Sequence, residues 1–262
     1  MLLAEVEPKT FTTFESNCYV YPPSTHTFYN ADCWKTFEKI PEASVDLVVS
    51  DPPYLIDMQS IGDRKTRIGQ SIKKSLPNVS SFANGFDIRR LYSALKRLQP
   101  KINAYLFCNK SQIPEYIKVF VEEGKCLFDV LVWYKTNAIP AFKHRYLSDK
   151  EYLLYFKESG AYCNPTSKIN ATTVFNAPMT SKEKTLYGHP TVKPLKLIER
   201  AIMNSSREGD LILDPFAGTG TTAVAAYNLN RDSINIEINP DYFETMKTRF
   251  LDSATTSPIP QN

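Results

Sequence analysis

Runs of apolar, strand-type residues recur along the chain: 44–50 "SVDLVVS", 103–108 "NAYLFC", 126–133 "CLFDVLVW", 210–214 "DLILD" and 233–237 "SINIE". Most are continuous rather than alternating, the pattern of strands covered on both faces. Helical periodicity lies between them. In "SQIPEYIKVFVEEGK", Ile113, Tyr116, Ile117, Phe120 and Val121 fall at helix spacing, and Gly124 follows as a stop. In "KPLKLIERAIMN", Leu195, Ile198, Ala201 and Ile202 share a face, with Pro194 where a first turn tolerates it. Asn239 is placed to cap a last helix that has Pro240 in its first turn. Alternating strands and helices predict a mostly parallel sheet with helices on both faces.

Two stretches break this rhythm. Residues 55–88 are polar, basic and rich in Ser, Asn and Gly, and residues 141–188 mix aromatics with Ser, Thr, Asn and Lys. Long segments without periodicity inside a compact domain are functional or mobile. The last eleven residues, "DSATTSPIPQN", read as a frayed tail. This divides the chain into 1–140, containing a mobile loop at 55–88, then 141–188, then 189–251, and a tail from 252.

Composition narrows the class. A length of 262 residues with 42% hydrophobic content suits one large α/β domain. No apolar run is long enough to span a bilayer, and the start "MLLAEVEPKT" lacks the apolar core of a secretory signal. The five cysteines (Cys18, Cys33, Cys108, Cys126, Cys163) show neither CxxC spacing nor Cys/His pairing. No metal site or disulfide framework is expected, and a reducing cytoplasm fits. The net charge of +3 is unevenly spread: "DRKTRIGQSIKK" (63–74), "RRLYSALKRLQPK" (89–101) and "KHR" (143–145) gather positive charge in the first part of the chain. Such clusters attract polyanions, and they are equally compatible with a solvated surface.

Chemistry concentrates at two places. "LILDPFAGTGTTAVAAYNL" follows a strand and opens a helix, with Gly218 and Gly220 two apart in a chain that has only nine glycines. A glycine turn at a helix start lets backbone approach a ligand. Glu237 ends the next strand nineteen residues after Gly218, the spacing at which an acid grips ribose hydroxyls. A nicotinamide dehydrogenase shares this loose pattern, but it needs several further strands, and only 25 residues follow Glu237. Asp214 and Phe216 flank the turn, and an acid there suits a cationic ligand end and repels a pyrophosphate. The second place is Asp51–Pro52–Pro53–Tyr54 at a strand tip. An exocyclic amino group is a poor nucleophile because its lone pair is delocalised into the base. Two acceptors on its N–H protons draw the nitrogen toward tetrahedral geometry. Asp51 offers one acceptor and the Pro52 carbonyl a second, held in direction by the fixed proline φ. Tyr54 offers a flat face for an extruded base.

"SDPPY", followed downstream by "LDPFAGTGTT" and "HPTVKP", resembles the amino-group DNA methyltransferases that use S-adenosylmethionine. The order, catalytic tip first and cofactor turn last, is that of their β class, a circular permutation. The resemblance runs from about residue 28 to 251. It implies a Rossmann-like seven-stranded sheet with one reversed strand, base flipping, and direct transfer without a covalent enzyme intermediate. No cysteine follows a proline, as carbon-5 cytosine methylation would want. Carried over by position, Asp51, Pro52, Pro53 and Tyr54 are catalytic. Asp214, Phe216, Gly218, Thr219, Gly220 and Thr222 form the cofactor turn, and Glu237, followed by Asn239, is the ribose ligand. "FYNADC" places Asp32 and Cys33 at the cofactor adenine, although Ala31 stands where the family more often has Gly. "HPTVKP" puts His189, Thr191 and Lys193 near the methionine carboxylate, with Lys193 as counter-charge. "WYKTNAIP" places Trp133, Lys135 and Asn137 beside the target base or DNA, with a core role for Trp133 as the competing reading. Target recognition falls on 141–188, where Lys143 and Arg145 suit phosphates. That segment is short, which favours a short target or a second subunit.

The resemblance implies adenine N6 methylation of double-stranded DNA, since Asp rather than Ser stands at position 51. N4-cytosine methylation and adenine methylation of RNA are the alternatives. It further implies a cytoplasmic enzyme of prokaryotic or phage origin, with a cognate restriction endonuclease or a homodimer partner as companions.

Overall fold

In a computed structural model, residues 11–13, 16–21, 24–54, 86–138, 146–179 and 192–256 are described. Ten strands form one sheet: β1 (Phe11–Thr13), β2 (Ser16–Tyr21), β3 (Ser24–Asn30), β4 (Leu47–Ser50), β5 (Asn103–Cys108), β6 (Leu127–Lys135), β7 (Lys150–Lys157), β8 (Val174–Ala177), β9 (Leu211–Asp214) and β10 (Asp232–Glu237). Their order is β1-β2-β3-β10-β9-β4-β5-β7-β6-β8. From β3 through β10, β9 and β4 to β5 all pairings are parallel, and β7 is inserted antiparallel between β5 and β6. This central part is the seven-stranded sheet with one reversed strand that the motif order implies. The full sheet is wider than expected: the β1–β2 strands extend one edge and β8 the other.

The five apolar runs became β4, β5, β6, β9 and β10; β4, β5, β9 and β10 are largely buried as continuous patterns demand, whereas of β6 only Trp133 is buried. β3, "STHTFYN", was not foreseen, because its inward positions include Ser24 and His26 beside Phe28. The polar groups satisfy one another: His26 sits 3.0 Å from Ser24 Oγ and 2.8 Å from Ser233 Oγ on β10. Burial lowers the His26 pKa to about 3, so the ring is neutral. β7, "KEYLLYFK", lies inside the 141–188 segment that the sequence assigned to recognition. Leu153, Leu154, Tyr155 and Phe156 are buried, and β7 pairs with β5 over Tyr152–Lys157 and with β6 along its whole length.

Helix α1 (Cys33–Phe37) leaves the tip of β3, and α2 (Ile88–Leu98) is capped by the Asp87 carboxylate, which accepts from Arg89 N at 2.9 Å and Arg90 N at 3.0 Å. α2 therefore begins at the end of the 55–88 stretch, most of which lies outside the described residues. α3 (Ile113–Tyr116) continues as a π-helix over Ile117–Glu123. The wider turn moves the buried face to Tyr116, Val119 and Phe120, in place of the face read from 3.6-residue spacing. Gly124 does follow this helix, but with a right-handed φ of −79°. It is small for another reason, since a Cβ would lie 2.7 Å from both the Phe120 carbonyl and the Tyr92 ring. α4 (Leu195–Ser205) buries Leu197, Ile198, Ala201 and Ile202, α5 (Thr221–Asn228) follows the glycine turn, and α6 (Pro240–Thr256) starts beneath Asn239. α6 extends into the stretch read as a tail: Tyr227 Oη donates to the Ala254 carbonyl, and Ser253 Oγ to the Arg249 carbonyl. Among the described residues no helix is long and apolar enough to cross a membrane.

Candidate active site

The chain runs from β4 outward to β5 and from β9 outward to β10, so crossovers diverge between the neighbouring strands β4 and β9. In open α/β sheets, ligands bind at such a switch point, beyond the carboxyl ends of the strands. A cavity of about 380 Å³ opens there, lined from the tips of β3, β4, β9 and β10. Among the described residues, four carboxylates (Asp32, Asp51, Asp214, Glu237) and one ammonium (Lys193) line it. Phe216, Phe86 and Trp34 supply aromatic wall, with Phe86 and Phe216 edge to face at 5.6 Å.

The glycine turn shapes one end. Gly218 has φ 53° and Gly220 φ 79°, left-handed values that favour glycine. Gly220 also caps α5, and a Cβ there would lie 2.6 Å from Met246 Cγ of α6. The turn is fastened to Glu237, whose Oε2 accepts from Gly218 N at 2.8 Å while Oε1 accepts from Asn239 N at 2.8 Å. Burial raises the Glu237 pKa to about 7, against these two N–H donors. Asp214 Oδ1 accepts from Ser50 Oγ at 2.6 Å and Phe216 N at 3.1 Å, and burial raises its pKa to about 6. The Ser50–Asp214 bond ties the tip of β4 to that of β9 across 164 residues of sequence.

At the tip of β4, Asp51 Oδ1 accepts from Tyr54 Oη at 2.6 Å, and Oδ2 lies 2.7 Å from Lys193 Nζ. Lys193 also reaches Glu151 Oε2 at 3.0 Å and donates to Tyr54 Oη at 3.3 Å. Burial raises the Asp51 pKa, with Lys193 opposing and Glu151 assisting. Burial, then the Asp51 charge, push Tyr54 well above the usual phenol value, so it stays a donor. Gln112 Nε2 donates to the Pro53 carbonyl at 3.4 Å. Among the described residues the Pro52 carbonyl accepts no hydrogen bond, so its lone pairs are available.

The structure therefore gathers most of the residues the motifs singled out. Asp51, Pro52, Pro53, Tyr54, Asp32, Cys33, Lys193, Asp214, Phe216, Gly218, Thr219, Thr222, Glu237 and Asn239 all line the cavity. Gly220 stands behind the wall, shaping the turn. Several have local duties as well. Asp32 caps α1, accepting from Trp34 N at 2.8 Å, and Asn239 Oδ1 caps α6 through Asp241 N at 2.9 Å. The Thr219 hydroxyl faces Arg249, while Thr222 donates to the Val49 carbonyl at 3.4 Å. Cys33 is buried, and burial with nearby Asp32 pushes its thiol up to about 12. Lys193, assigned to the cofactor carboxylate, lines the cavity and is paired with Asp51 and Glu151. His189 and Thr191 lie outside the described residues, as do Lys143 and Arg145.

The segment assigned to DNA or target base turns inward. Trp133 is 2% exposed, and its Nε1 donates to the Ala177 carbonyl at 3.0 Å, so it belongs to the core. Lys135 folds back onto Glu151 at 2.8 Å. Asn137 alone of the three is exposed; it spans to β8's end through the Met179 carbonyl at 3.3 Å. Sequence reasoning missed Trp34, Phe86 and Glu151. A Trp directly after "NADC" was a usable signal, whereas Glu151 in "DKEYLLYFK" reads as ordinary surface charge.

An acid-rich cavity at the switch point, beside a rigid carboxylate–phenol tip, defines a Rossmann-like group-transfer enzyme. The DNA methylase family model for N6 and N4 amino methyltransferases matches residues 45–248, and the chain belongs to this family. It is similar to the Type II methyltransferase M2.LlaDCHI of Lactococcus lactis subsp. cremoris, 31% identical over 249 residues, covering 90% of this chain and 93% of the relative. Type II methyltransferase M2.DpnII of Streptococcus pneumoniae is 30% identical over 234 residues, covering 84% and 87%. Among solved structures, the M1.HpyAVI–SAM complex superposes with a TM-score of 0.60 at 28% identity, covering 86% of this chain and 99% of that one.

Proposed function

We propose that this methyltransferase moves a methyl group from S-adenosylmethionine to the exocyclic N6 of an adenine flipped out of double-stranded DNA. The observation that carries this reading is the fixed juxtaposition of Asp51 with the acid-lined cavity. The cofactor fits the donor set. Glu237 can accept ribose hydroxyls, the wall offers aromatic faces for adenine, and four carboxylates against one already paired ammonium favour a cation over a pyrophosphate. When bound, the cofactor supplies a methyl group on a sulfonium.

The protein's residues do the rest. Asp51 and the Pro52 carbonyl accept the two amino protons and free the nitrogen lone pair. The prolines hold both acceptors in place, so little reorganisation is needed during reaction. Tyr54, kept protonated, orients Asp51 and presents its ring to the base. Asp51 then takes the proton that the methylated nitrogen releases. The Type II designation of both relatives supports work beside a cognate restriction endonuclease in a bacterial cytoplasm.

Incubation with DNA and methyl-labelled S-adenosylmethionine, followed by nucleoside analysis, tests this. Label is expected in N6-methyladenine. Label in N4-methylcytosine overturns the adenine assignment, and unlabelled DNA overturns the proposal. Asp51→Ala is expected to reduce transfer at least ~10²-fold, the scale of lost proton-transfer catalysis, while cofactor affinity changes little. A fully active variant would sink the mechanism.

A further inference from the structure

Four charged side chains of alternating sign run inward from the catalytic tip: Asp51, Lys193, Glu151 and Lys135. Lys193 Nζ lies 2.7 Å from Asp51 Oδ2 and 3.0 Å from Glu151 Oε2, and Lys135 Nζ lies 2.8 Å from Glu151 Oε1. Their side chains are only 7–24% exposed, so solvent screens these contacts weakly. Four elements meet here. Asp51 follows β4, Lys193 precedes α4, Glu151 is on the reversed strand β7, and Lys135 ends β6. One ammonium is thus shared between two carboxylates, only one of which lines the cavity.

Sharing matters for the transfer step. The methyl–sulfur bond breaks with its electron pair remaining on sulfur, which becomes a neutral thioether. The amino nitrogen's lone pair forms the new N–C bond, the nitrogen becomes cationic, and one N–H proton passes to Asp51. Asp51 must therefore be a good acceptor. In the structure Tyr54 occupies Oδ1 at 2.6 Å and Lys193 holds Oδ2. An ammonium belonging to Asp51 alone would make it a weak base. One of the two contacts must loosen when the amino group arrives, and Lys193 has somewhere else to go.

We propose that Glu151 is a positioning residue for methyl transfer: by holding Lys193 from behind, it leaves Asp51 free to accept the amino proton. This rests on the reading of Asp51 as the acceptor. The charges around the cluster agree. Burial pushes Glu151 up, but Lys193 and Lys135 outweigh it and hold its pKa at about 2, so it is ionised throughout the working range. Glu151 in turn helps to raise Asp51, after burial and against Lys193. Of the other groups that face Asp51, Tyr54 and Tyr116 are pushed well above the usual phenol value by burial, and Cys108 up to about 12. These stay neutral. Asp214, at about 6, is the neighbour that titrates nearby.

Glu151→Gln keeps the side chain's shape and removes its charge. Lys193 then pairs with Asp51 alone, and Asp51 becomes less basic. We expect kcat to fall about tenfold or more, as loss of base strength in proton transfer implies. The acid limb of the kcat–pH profile should move to lower pH, while the dissociation constant for S-adenosylmethionine by calorimetry stays within about twofold. Glu151→Asp should recover part of kcat. Carbon-13 NMR of the Asp51 carboxyl, assigned with Asp51→Asn, should show its pKa lowered in Glu151→Gln. That readout needs no turnover, so it separates this inference from failure of the adenine reading. An unchanged carboxyl titration and an unchanged acid limb would overturn the inference. So would loss of folding and cofactor affinity in both the Gln and Asp variants, which would make Glu151 merely structural.

Discussion

Cofactor affinity should fall steeply with acidity because Glu237 titrates near neutrality. Its carboxyl is buried, and burial raises its pKa to about 7 despite N–H donors from Gly218 and Asn239 at 2.8 Å. Ribose hydroxyls donate to the ionised form, so the cofactor binds that form. The free protein is almost wholly ionised there at pH 8 and about one-tenth ionised at pH 6. Affinity should therefore drop about tenfold between these pH values, or ~1.4 kcal/mol. Asp214, at about 6, adds a further decline below that.

Isothermal titration calorimetry with S-adenosylmethionine across pH 5.5–8.5 measures this. Glu237→Gln should bind about 10–100-fold more weakly at pH 8, since a hydrogen bond to a charged group contributes about 1.5–3 kcal/mol. Its affinity should then be level down to about pH 6, where Asp214 takes over. Stability without cofactor runs the other way. A carboxyl that holds its proton to about 7 when folded, against 4.5 for an ordinary glutamate, makes the folded state bind more protons between these values. Its contribution is therefore lost as pH rises through that window. Wild-type affinity that is level from pH 8 to 6 would refute both the ribose role and the electrostatic reasoning.

Other substitutions probe the supports of the site. Ser50→Ala removes the 2.6 Å donor that lowers the Asp214 pKa, so the acid decline of cofactor affinity should start at higher pH in the same calorimetric series. Gly220→Ala forces a left-handed alanine and a Cβ 2.6 Å from Met246 Cγ; urea unfolding should show a loss of about 2–4 kcal/mol. Trp133→Phe removes one of the two donors to the Ala177 carbonyl, leaving Thr136 N at 3.2 Å, and opens a small cavity, costing about 1–3 kcal/mol, while DNA affinity by fluorescence anisotropy stays within about twofold. A large loss of DNA affinity in a stable Trp133→Phe protein would return that residue to the interface.

Legibility in the sequence followed burial type. Strands buried on both faces by apolar residues alone, such as β4 and β5, announce themselves as continuous runs. β3 did not, because Ser24 and His26 are buried through a hydrogen-bonded pair with Ser233, 207 residues away for His26. β7 was hidden by its setting, a strongly apolar strand inside a polar, aromatic stretch. The π-helix was invisible for a different reason: a local change of period moves the buried face without changing residue type. At the site, residues singled out by a short motif, Asp51 to Tyr54 and all of Asp214 to Thr222 but Gly220, line one cavity. Residues whose role depends on pairing between strands were not legible in this way. Trp133 stands opposite Glu151 in the β6–β7 ladder, and that register places one in the core and the other between two lysines.

The pairing of β4 with β9 likewise explains why Asp51 and Asp214 meet in one cavity. Asp51 and Asp214 follow or end adjacent parallel strands, and Ser50, the residue before Asp51, donates to Asp214 Oδ1 at 2.6 Å. Two neighbouring buried carboxylates repel, and each needs its own compensation. Asp214 receives neutral donors from Ser50 and from the Phe216 backbone, and it keeps a pKa of about 6. Asp51 receives a full charge from Lys193, which the reversed strand then shares through Glu151. Neutral donors oppose the burial that raises Asp214 without cancelling its charge. The shared ammonium opposes the burial that raises the Asp51 pKa, and Glu151 offsets part of that opposition. Among the described residues the reversed strand β7 is the element that makes this difference, since it brings a second carboxylate, Glu151, behind Lys193.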